Sequence, residues 1–432
     1  MFLELRLGNF KSFRNCSALS MVPSSISKDS NYRALKRRIK RIRKTQEALC
    51  STVLYGANAS GKSNVIAGAE LLRNIVLRGN ILGTAISRDA FESSSCLSLA
   101  PIASDSKETN VLLGITFLID TLKVDYTIQI ELGPFLASSY ERKIVYEKLL
   151  INEEPAFERV LDDVTFFPLP ELMDGKRWDE KEYRFLEKLC DANINSKELF
   201  LTNGFKSIVC PSVASKILSW FRDRFIIIRR YEDVPLIKER ITNTHLNLMS
   251  KAANLIGSQT SAFTFDNSQD GRLCLHSLFM DKDGKTKMIP SEIFESSGTV
   301  RFMQLIPIIF DTLKNGKFLL IDEFDTAINP LALMEIIDIF HNDELNKHGS
   351  QLVFTTHNSV FLNTNLFLRD EIKFVHKENN TSSICSLAEI GKRADECTDV
   401  SMENYLSNQY GTNNQSHISQ LFVNYLEEKE NQ

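Results

Sequence analysis

Residues 56–64, Gly-Ala-Asn-Ala-Ser-Gly-Lys-Ser-Asn, place two glycines, a lysine and a hydroxyl at fixed spacing. Gly56, Gly61, Lys62 and Ser63 fit G-x-x-x-x-G-K-[ST] without departure. A backbone that curls successive N–H groups inward around phosphate oxygens needs dihedrals that glycine tolerates. Ala57, Asn58, Ala59 and Ser60 complete the loop, and Asn64 lies in the helix it opens. The positive N-terminal end of that helix faces the same oxygens. In such a loop the lysine reaches the β- and γ-phosphates of a nucleotide and the hydroxyl ligates Mg²⁺. Lys62 and Ser63 take those roles, with ATP and Mg²⁺ as the expected ligands. The competing reading is a glycine-rich turn that binds nothing. An apolar strand before the loop (Val53, Leu54, Tyr55) and a helix after it weigh against that.

Three later stretches bear on the same chemistry. Phe318-Leu319-Leu320-Ile321 is a continuous apolar run, the mark of a strand buried on both faces, and it ends in Asp322 and Glu323. Ligands of open α/β sheets sit at such strand ends. Asp322 is the expected metal ligand, through water, and Glu323 the expected general base. Taken alone, an apolar strand ending in Asp-Glu is common; following a phosphate loop, it is specific. Next, Glu295-Ser296-Ser297-Gly298-Thr299 opens an apolar helix. Small polar residues and a glycine there make either an anion-binding end or an ordinary N-cap. Finally, Gln351–Thr356 is an apolar strand that runs into His357. A lone histidine is usually structural; at this place, after the acidic strand, it resembles a switch histidine that contacts a γ-phosphate.

These residues must be positioned by an α/β frame. Strand-like alternation covers Phe2–Leu7 and Leu19–Val22, and Ser63–Arg78 has an apolar helical side. Val111–Ile119, Tyr126–Glu131 and Lys143–Ile151 alternate like paired strands and predict an antiparallel side sheet. From 151 to 262 the texture turns helical, with stretches at Asp179–Ala192, Ser212–Phe225 and Val234–Ile256. Strand-like alternation returns at Phe263–Phe265, Arg272–Phe279 and Lys285–Pro290, with a D-G turn between the last two. Arg33, Lys36, Arg37, Arg38, Lys40, Arg41, Arg43 and Lys44 concentrate positive charge in a segment, 28–47, that interrupts the N-terminal pattern. It is either a solvated, partly helical insertion or a contact for DNA or an acidic protein.

Composition sets limits. A net charge of −4 over 432 residues excludes wholesale coating of nucleic acid, so any such contact is local. Cys16, Cys50, Cys96, Cys190, Cys210, Cys274, Cys385 and Cys397 form no C-x-x-C pair. That argues against a zinc site or a disulfide framework and fits a reducing, cytoplasmic setting. The start of the chain lacks the pattern of a signal peptide, and no apolar run is long enough to span a membrane.

The order of parts resembles the SMC/RecF-like branch of ABC ATPases, most closely the stand-alone prokaryotic ATPases related to the overcoming-lysogenization-defect proteins. The residues that carry the resemblance are NFKSF at 9–13, YGANASGKSN at 55–64, ESSGT at 295–299, LLIDEFD at 319–325 and FTTHN at 354–358. Tyr405-Leu406 and Gln409-Tyr410-Gly411 add a late mark. The resemblance implies an α/β P-loop NTPase. It would be an ABC-type head with a mixed, largely parallel sheet, an antiparallel side sheet and an inserted helical subdomain. Its N-terminal lobe would cover 1–150, the helical insertion 151–262, the C-terminal lobe 263–412 and a tail 413–432. It further implies two heads that sandwich ATP. Each site would combine Lys62, Ser63, Asp322, Glu323 and His357 of one copy with Ser296 and Gly298 of the other. Asp325–Pro330 would be the loop that crosses the interface, although Ile328-Asn329-Pro330 stands where relatives carry Leu-His-Pro. No Q-loop glutamine is evident, since Gln129 lies in an expected strand.

By the same resemblance, the expected role is a regulatory ATPase of a prokaryotic anti-phage system, as in Septu and PARIS. It would control a separately encoded effector such as a nuclease. About 20 residues follow Gly411, so a TOPRIM nuclease of the overcoming-lysogenization-defect type is not expected within this chain. The alternative is a RecF-like DNA-binding ATPase of repair or recombination, which the basic segment favours. A transporter subunit is disfavoured, because its ATP-binding head would not be split by a long insertion.

Overall fold

The computed structural model describes residues 1–24, 34–39, 44–82, 109–133, 141–169, 179–229, 241–258, 260–267, 273–280, 283–363 and 366–393. The first strands are β1 (Phe2–Gly8), β2 (Ser17–Ser20), β3 (Ala34–Arg38), β4 (Thr45–Leu49), β5 (Ser51–Tyr55), β6 (Asn110–Ile119), β7 (Leu122–Glu131), β8 (Lys143–Ile151), β9 (Glu154–Val160) and β10 (Asp163–Phe166). They are followed by β11 (Phe225–Ile228), β12 (Ala262–Asn267), β13 (Leu273–Met280), β14 (Thr286–Pro290), β15 (Phe318–Ile321), β16 (Gln351–Thr355), β17 (Ile372–Glu378) and β18 (Thr381–Ser386). The helices are α1 (Lys62–Arg78), α2 (Glu180–Ala192), α3 (Pro211–Ser219), α4 (Asn243–Leu255), α5 (Ser291–Phe294), α6 (Ser297–Asn315), α7 (Pro330–His341) and α8 (Leu387–Arg393). Two π-helical segments, Leu201–Val209 and Trp220–Arg224, flank α3.

The central sheet has six strands in the order β11-β15-β16-β5-β17-β18. The first five run parallel and β18 antiparallel. Every residue of β5, β15 and β16 is buried. Leu54, Phe318, Leu320 and Val353 face one core; Val53, Tyr55, Leu319, Ile321, Leu352 and Phe354 face another. Burial on both faces is why these strands read as unbroken apolar runs. Their C-terminal ends lie along one edge, so the loops after them meet.

A seven-stranded antiparallel sheet, β10-β9-β8-β7-β6-β1-β2, covers the first core with α1 between the sheets. Gly68 of α1 makes that packing possible, because a Cβ there would come within 2.5 Å of Leu7 Cδ2. The Phe2 and Phe318 rings stack at 4.2 Å and join the sheets directly. The second core is closed by α4, α6 and α7, and β12-β13-β14 forms a separate three-stranded sheet. β13 and β14, on either side of the expected 281–284 turn, pair antiparallel, and Asp281 and Lys282 lie outside the described residues.

Two expectations need correction. The region 151–262 is not purely helical. β9 and β10 extend the antiparallel sheet, and β11 is an edge strand of the central sheet. β11 is an apolar run, Phe225-Ile226-Ile227-Ile228, that pairs with β15 far along the chain; it follows the helical residues 211–224 without a break and so reads as their continuation. The described part of the basic segment is not helical either: β3 and β4 pair antiparallel. Leu35, Ile39 and Ala48 anchor it on Met1, Leu3 and Leu118. Arg33, Lys40, Arg41, Arg43, the late 405–411 mark and the 413–432 tail lie outside the described residues. Among the described residues, no helix is long and apolar enough to cross a membrane.

Candidate functional site

The 56–63 loop leaves β5 and enters α1. Gly61 has φ 116° and Ala59 φ 61°, so the chain passes twice through the left-handed region within three residues. Space adds a second demand for glycine. A Cβ at Gly56 would sit 2.5 Å from both Ser60 Oγ and Val375 O; one at Gly61 would sit 2.6 Å from Ser12 Oγ and 2.7 Å from Ser382 Oγ. The loop is held from outside by hydroxyls that the sequence did not single out as site residues. Ser382 Oγ donates to Ser60 O at 2.5 Å, and Asn64 Nδ2 donates to Ser12 Oγ at 2.8 Å. Ser12 lies in the NFKSF stretch, the one sequence signal that pointed to this buttress.

Several features fit this loop to a phosphate. Helix α1 starts without a side-chain cap, so its first-turn N–H groups are not consumed by one. Ser60 Oγ is buried and makes no hydrogen bond. Lys62 Nζ donates to the carbonyls of Gly56 at 2.6 Å and Ala57 at 3.0 Å. Burial lowers its pKa from 10.5 to about 8, opposed by the charges of Asp322, Glu323 and Asp325. Ala57, Asn58 and Ala59 form the loop's outer turn, and Ser63 is exposed at the helix start.

The two carboxylates follow β15. Asp322 is buried and its N–H donates to Ile228 O of β11 at 2.9 Å. Thr355 locks the pair: its Oγ1 donates to Asp322 Oδ1 at 2.6 Å and accepts from Glu323 N at 2.7 Å. Glu323 adopts φ 50°, which turns the chain sharply after the strand and leaves its side chain exposed. His357 follows β16. Partial desolvation first, then the charge of Lys62, push its pKa below the usual 6.5 and keep the ring neutral at pH 7. Asp322, Glu323 and Asp325 act electrostatically on both Lys62 and His357. One end of the sheet therefore gathers Lys62, Asp322, Glu323 and His357. Ser63 and Asp322 supply a hydroxyl and a carboxylate, oxygen donors of the kind Mg²⁺ takes alongside phosphate and water oxygens.

Ser296 and Gly298 are placed elsewhere. Ser296 is the N-cap of α6, accepting from Thr299 N at 3.1 Å. Gly298 presses on the loop after the carboxylates, where a Cβ would collide with Ala327 O. Arg301 Nη1 donates to Thr326 O at 3.1 Å and fastens the same contact. Ile328 is buried, and Asn329 caps α7 by accepting from Leu331 N at 2.9 Å, with Pro330 opening the helix. The Ile-Asn-Pro departure therefore serves a helix start. Among the described residues neither Ser296 nor Gly298 bonds the phosphate loop. Gln129 lies within β7, inside the antiparallel sheet.

A family profile described as "AAA domain, putative AbiEii toxin, Type IV TA system" matches residues 51–363. The structure is similar to the SMC head domain from Thermotoga maritima, with a TM-score of 0.39 and 13% identity over 89% of this chain and 98% of that one. It is also similar to an Smc head domain with a coiled coil and joint from Pyrococcus yayanosii, with a TM-score of 0.42 and 13% identity over 91% and 99% of the two chains. No curated protein matches the sequence.

Proposed function

The chain belongs to this AAA-domain family, and from that premise we propose that it is an ATP-hydrolysing association switch built on ABC-type heads. Lys62, Ser63 and the loop N–H groups hold the phosphates, and Asp322 with Ser63 holds Mg²⁺. Bound Mg-ATP would supply the phosphoanhydride whose terminal phosphoryl group passes to water. Glu323 orients that water and takes its proton. Neutral His357 offers a ring nitrogen beside the same position without adding a second cation next to Lys62. Ser296 and Gly298 complete the site from a second copy.

One observation carries this reading. A single chain gathers the catalytic half of the site at one end of its sheet. Its Ser296–Gly298 loop is tied to Ala327 and Thr326 instead of to its own phosphate loop. A half-site of this kind becomes whole through association, and a ligand drives association to the extent that it binds the closed form better. The output is regulation of a separately encoded effector, a nuclease or toxin, in cytoplasmic prokaryotic anti-phage defence. The toxin–antitoxin wording of the family description supports a setting with a separate partner.

The test is Glu323→Gln, which should bind ATP, retain it and accumulate as a dimer by light scattering. Lys62→Ala should bind no nucleotide and remain unassociated. Wild-type turnover by the Glu323→Gln protein would sink the general-base role, and ATP retention without association would sink the composite site.

A further inference from the structure

β11 is an edge of the central sheet, with β15 on its one paired side. The parallel register sets Ile228 beside Ile321, and Asp322 N donates to Ile228 O at 2.9 Å. Main-chain groups alternate in direction along a strand, so Ile226 and Ile228 bond β15 while Phe225 and Ile227 point outward. The outward carbonyl of Phe225 is taken, because Arg73 Nε donates to it at 2.9 Å. Among the described residues, the N–H and C=O of Ile227 have no partner.

A cavity of about 770 Å³ runs along this free edge. Ile226 packs towards the second core and Ile227 towards the first, on opposite faces of the sheet, yet both line it. Arg73 of α1 bounds the cavity on one face, and His245 of α4 with Pro307 and Ile308 of α6 bounds it on the other. Its charges are uneven. Asp311 lies 3.4 Å from His245 Nε2, and Asp223 acts electrostatically on Arg73. Arg222, Arg224 and Lys317 also line the cavity, and among the described residues none of the three forms an ion pair. Arg222 is exposed and the other two are half-exposed.

A bare sheet edge is a template for another strand, and proteins manage such edges by covering or charging them. An extended peptide added there gains main-chain hydrogen bonds and seats alternate side chains in the neighbouring pockets. Ile241, Pro307 and Ile308 offer an apolar wall, and the three unmatched cations call for carboxylates. The lining has no Phe, Tyr or Trp on which a nucleobase could stack. We propose that the free edge of β11 takes an extended acidic segment of a partner protein as a short added strand, with its carboxylates on Arg222, Arg224 and Lys317. The contact uses no residue of the phosphate-loop site and holds whether or not the ATP reading does.

The probe is a fluorescent peptide of about eight residues, alternating Glu and Val, followed by anisotropy on the full chain. It should bind saturably. Arg222→Gln/Arg224→Gln/Lys317→Gln should weaken it about tenfold, the combined effect of three exposed charge pairs. Lys181→Gln/Arg184→Gln/Lys188→Gln, on the exposed surface of α2, should change nothing. Methylating the peptide nitrogens separates strand addition from charge attraction and needs no variant of the chain. The cations fix the face that the Glu side chains take, so only one set of peptide N–H groups points at β11. N-methylation of that set should abolish binding, and N-methylation of the other set should leave it intact. The proposal falls if the peptide does not bind, if the α2 variant loses as much, if the two methylated peptides behave alike, or if pyrophosphate competes as well as the peptide.

Discussion

Lys62 carries the clearest consequence at the scale of single residues. In the proposed function its ammonium faces phosphate, yet burial lowers its pKa to about 8. At pH 7 it keeps its proton; above about 8 the proton must be recovered on binding. ATP affinity measured by calorimetry should therefore fall between pH 8 and 9.5, approaching tenfold per unit. A flat profile would contradict the geometry of the loop. The stability sign follows from the same shift. Between about 8 and 10.5 the unfolded chain binds more protons at this position, so the lysine's contribution to stability rises with pH. At pH 7 the buried charge is a cost on the order of 1–3 kcal/mol, and Lys62→Met should raise the melting temperature of the nucleotide-free protein. The residues of the candidate site were legible because lysine, glycine, paired carboxylates and histidine form rare combinations at strand ends. Thr355, Ser12 and Ser382 were not, because a hydroxyl acquires its role from neighbours distant in sequence.

Among the elements, the junction of α6 with the 325–328 loop is the most exacting. Gly298 is fixed there by lack of space: a methyl group would meet Ala327 O and drive the first turn of α6 outward. Gly298→Ala should cost about 1–3 kcal/mol of stability. It should also weaken ATP-dependent association by tenfold or more, while nucleotide binding by the single chain stays within about twofold. Equilibrium sedimentation with a non-hydrolysable analogue separates these effects, and undiminished association would remove the loop from the interface. The elements that hold the chemistry were also the readable ones. β5, β15 and β16 are buried on both faces and spell themselves out as apolar runs. β11 and the β3–β4 pair were missed for opposite reasons. The first, Phe225-Ile226-Ile227-Ile228, is apolar throughout but follows the helical residues 211–224 without a break and reads as their continuation, and in the second a run of cations hides the alternation of Leu35, Arg37 and Ile39.

For the whole molecule, the connection between the antiparallel sheet and the helical segments rests on a buried ion pair. Arg159 and Glu147 are both almost fully buried, 3.8 Å apart. Arg159 donates to the carbonyls of Leu161, Asn195 and Glu198. Glu147 accepts from Tyr126 OH and from the N–H groups of Phe200 and Leu201, the start of a π-helical segment. Removing one charge strands the other in the core, so Glu147→Gln should destabilise the protein by about 3–5 kcal/mol in urea. Adding Arg159→Met should recover part of that loss. An additive double variant would show that the two side chains act separately.

The strand order of the central sheet has a consequence for how the chain is made. β5, which launches the phosphate loop, lies between β16 and β17, and both are encoded near the other end. Local sequence cannot supply either neighbour, and closure over that separation is slow. During synthesis, Ser51–Tyr55 must therefore wait with both edges bare while some three hundred residues emerge. The delay exposes an apolar strand to misassociation. On the proposed reading the delay is also a safeguard: an unfinished polypeptide has no cradle, so it would neither capture a nucleotide nor recruit a second copy before translation has passed β17.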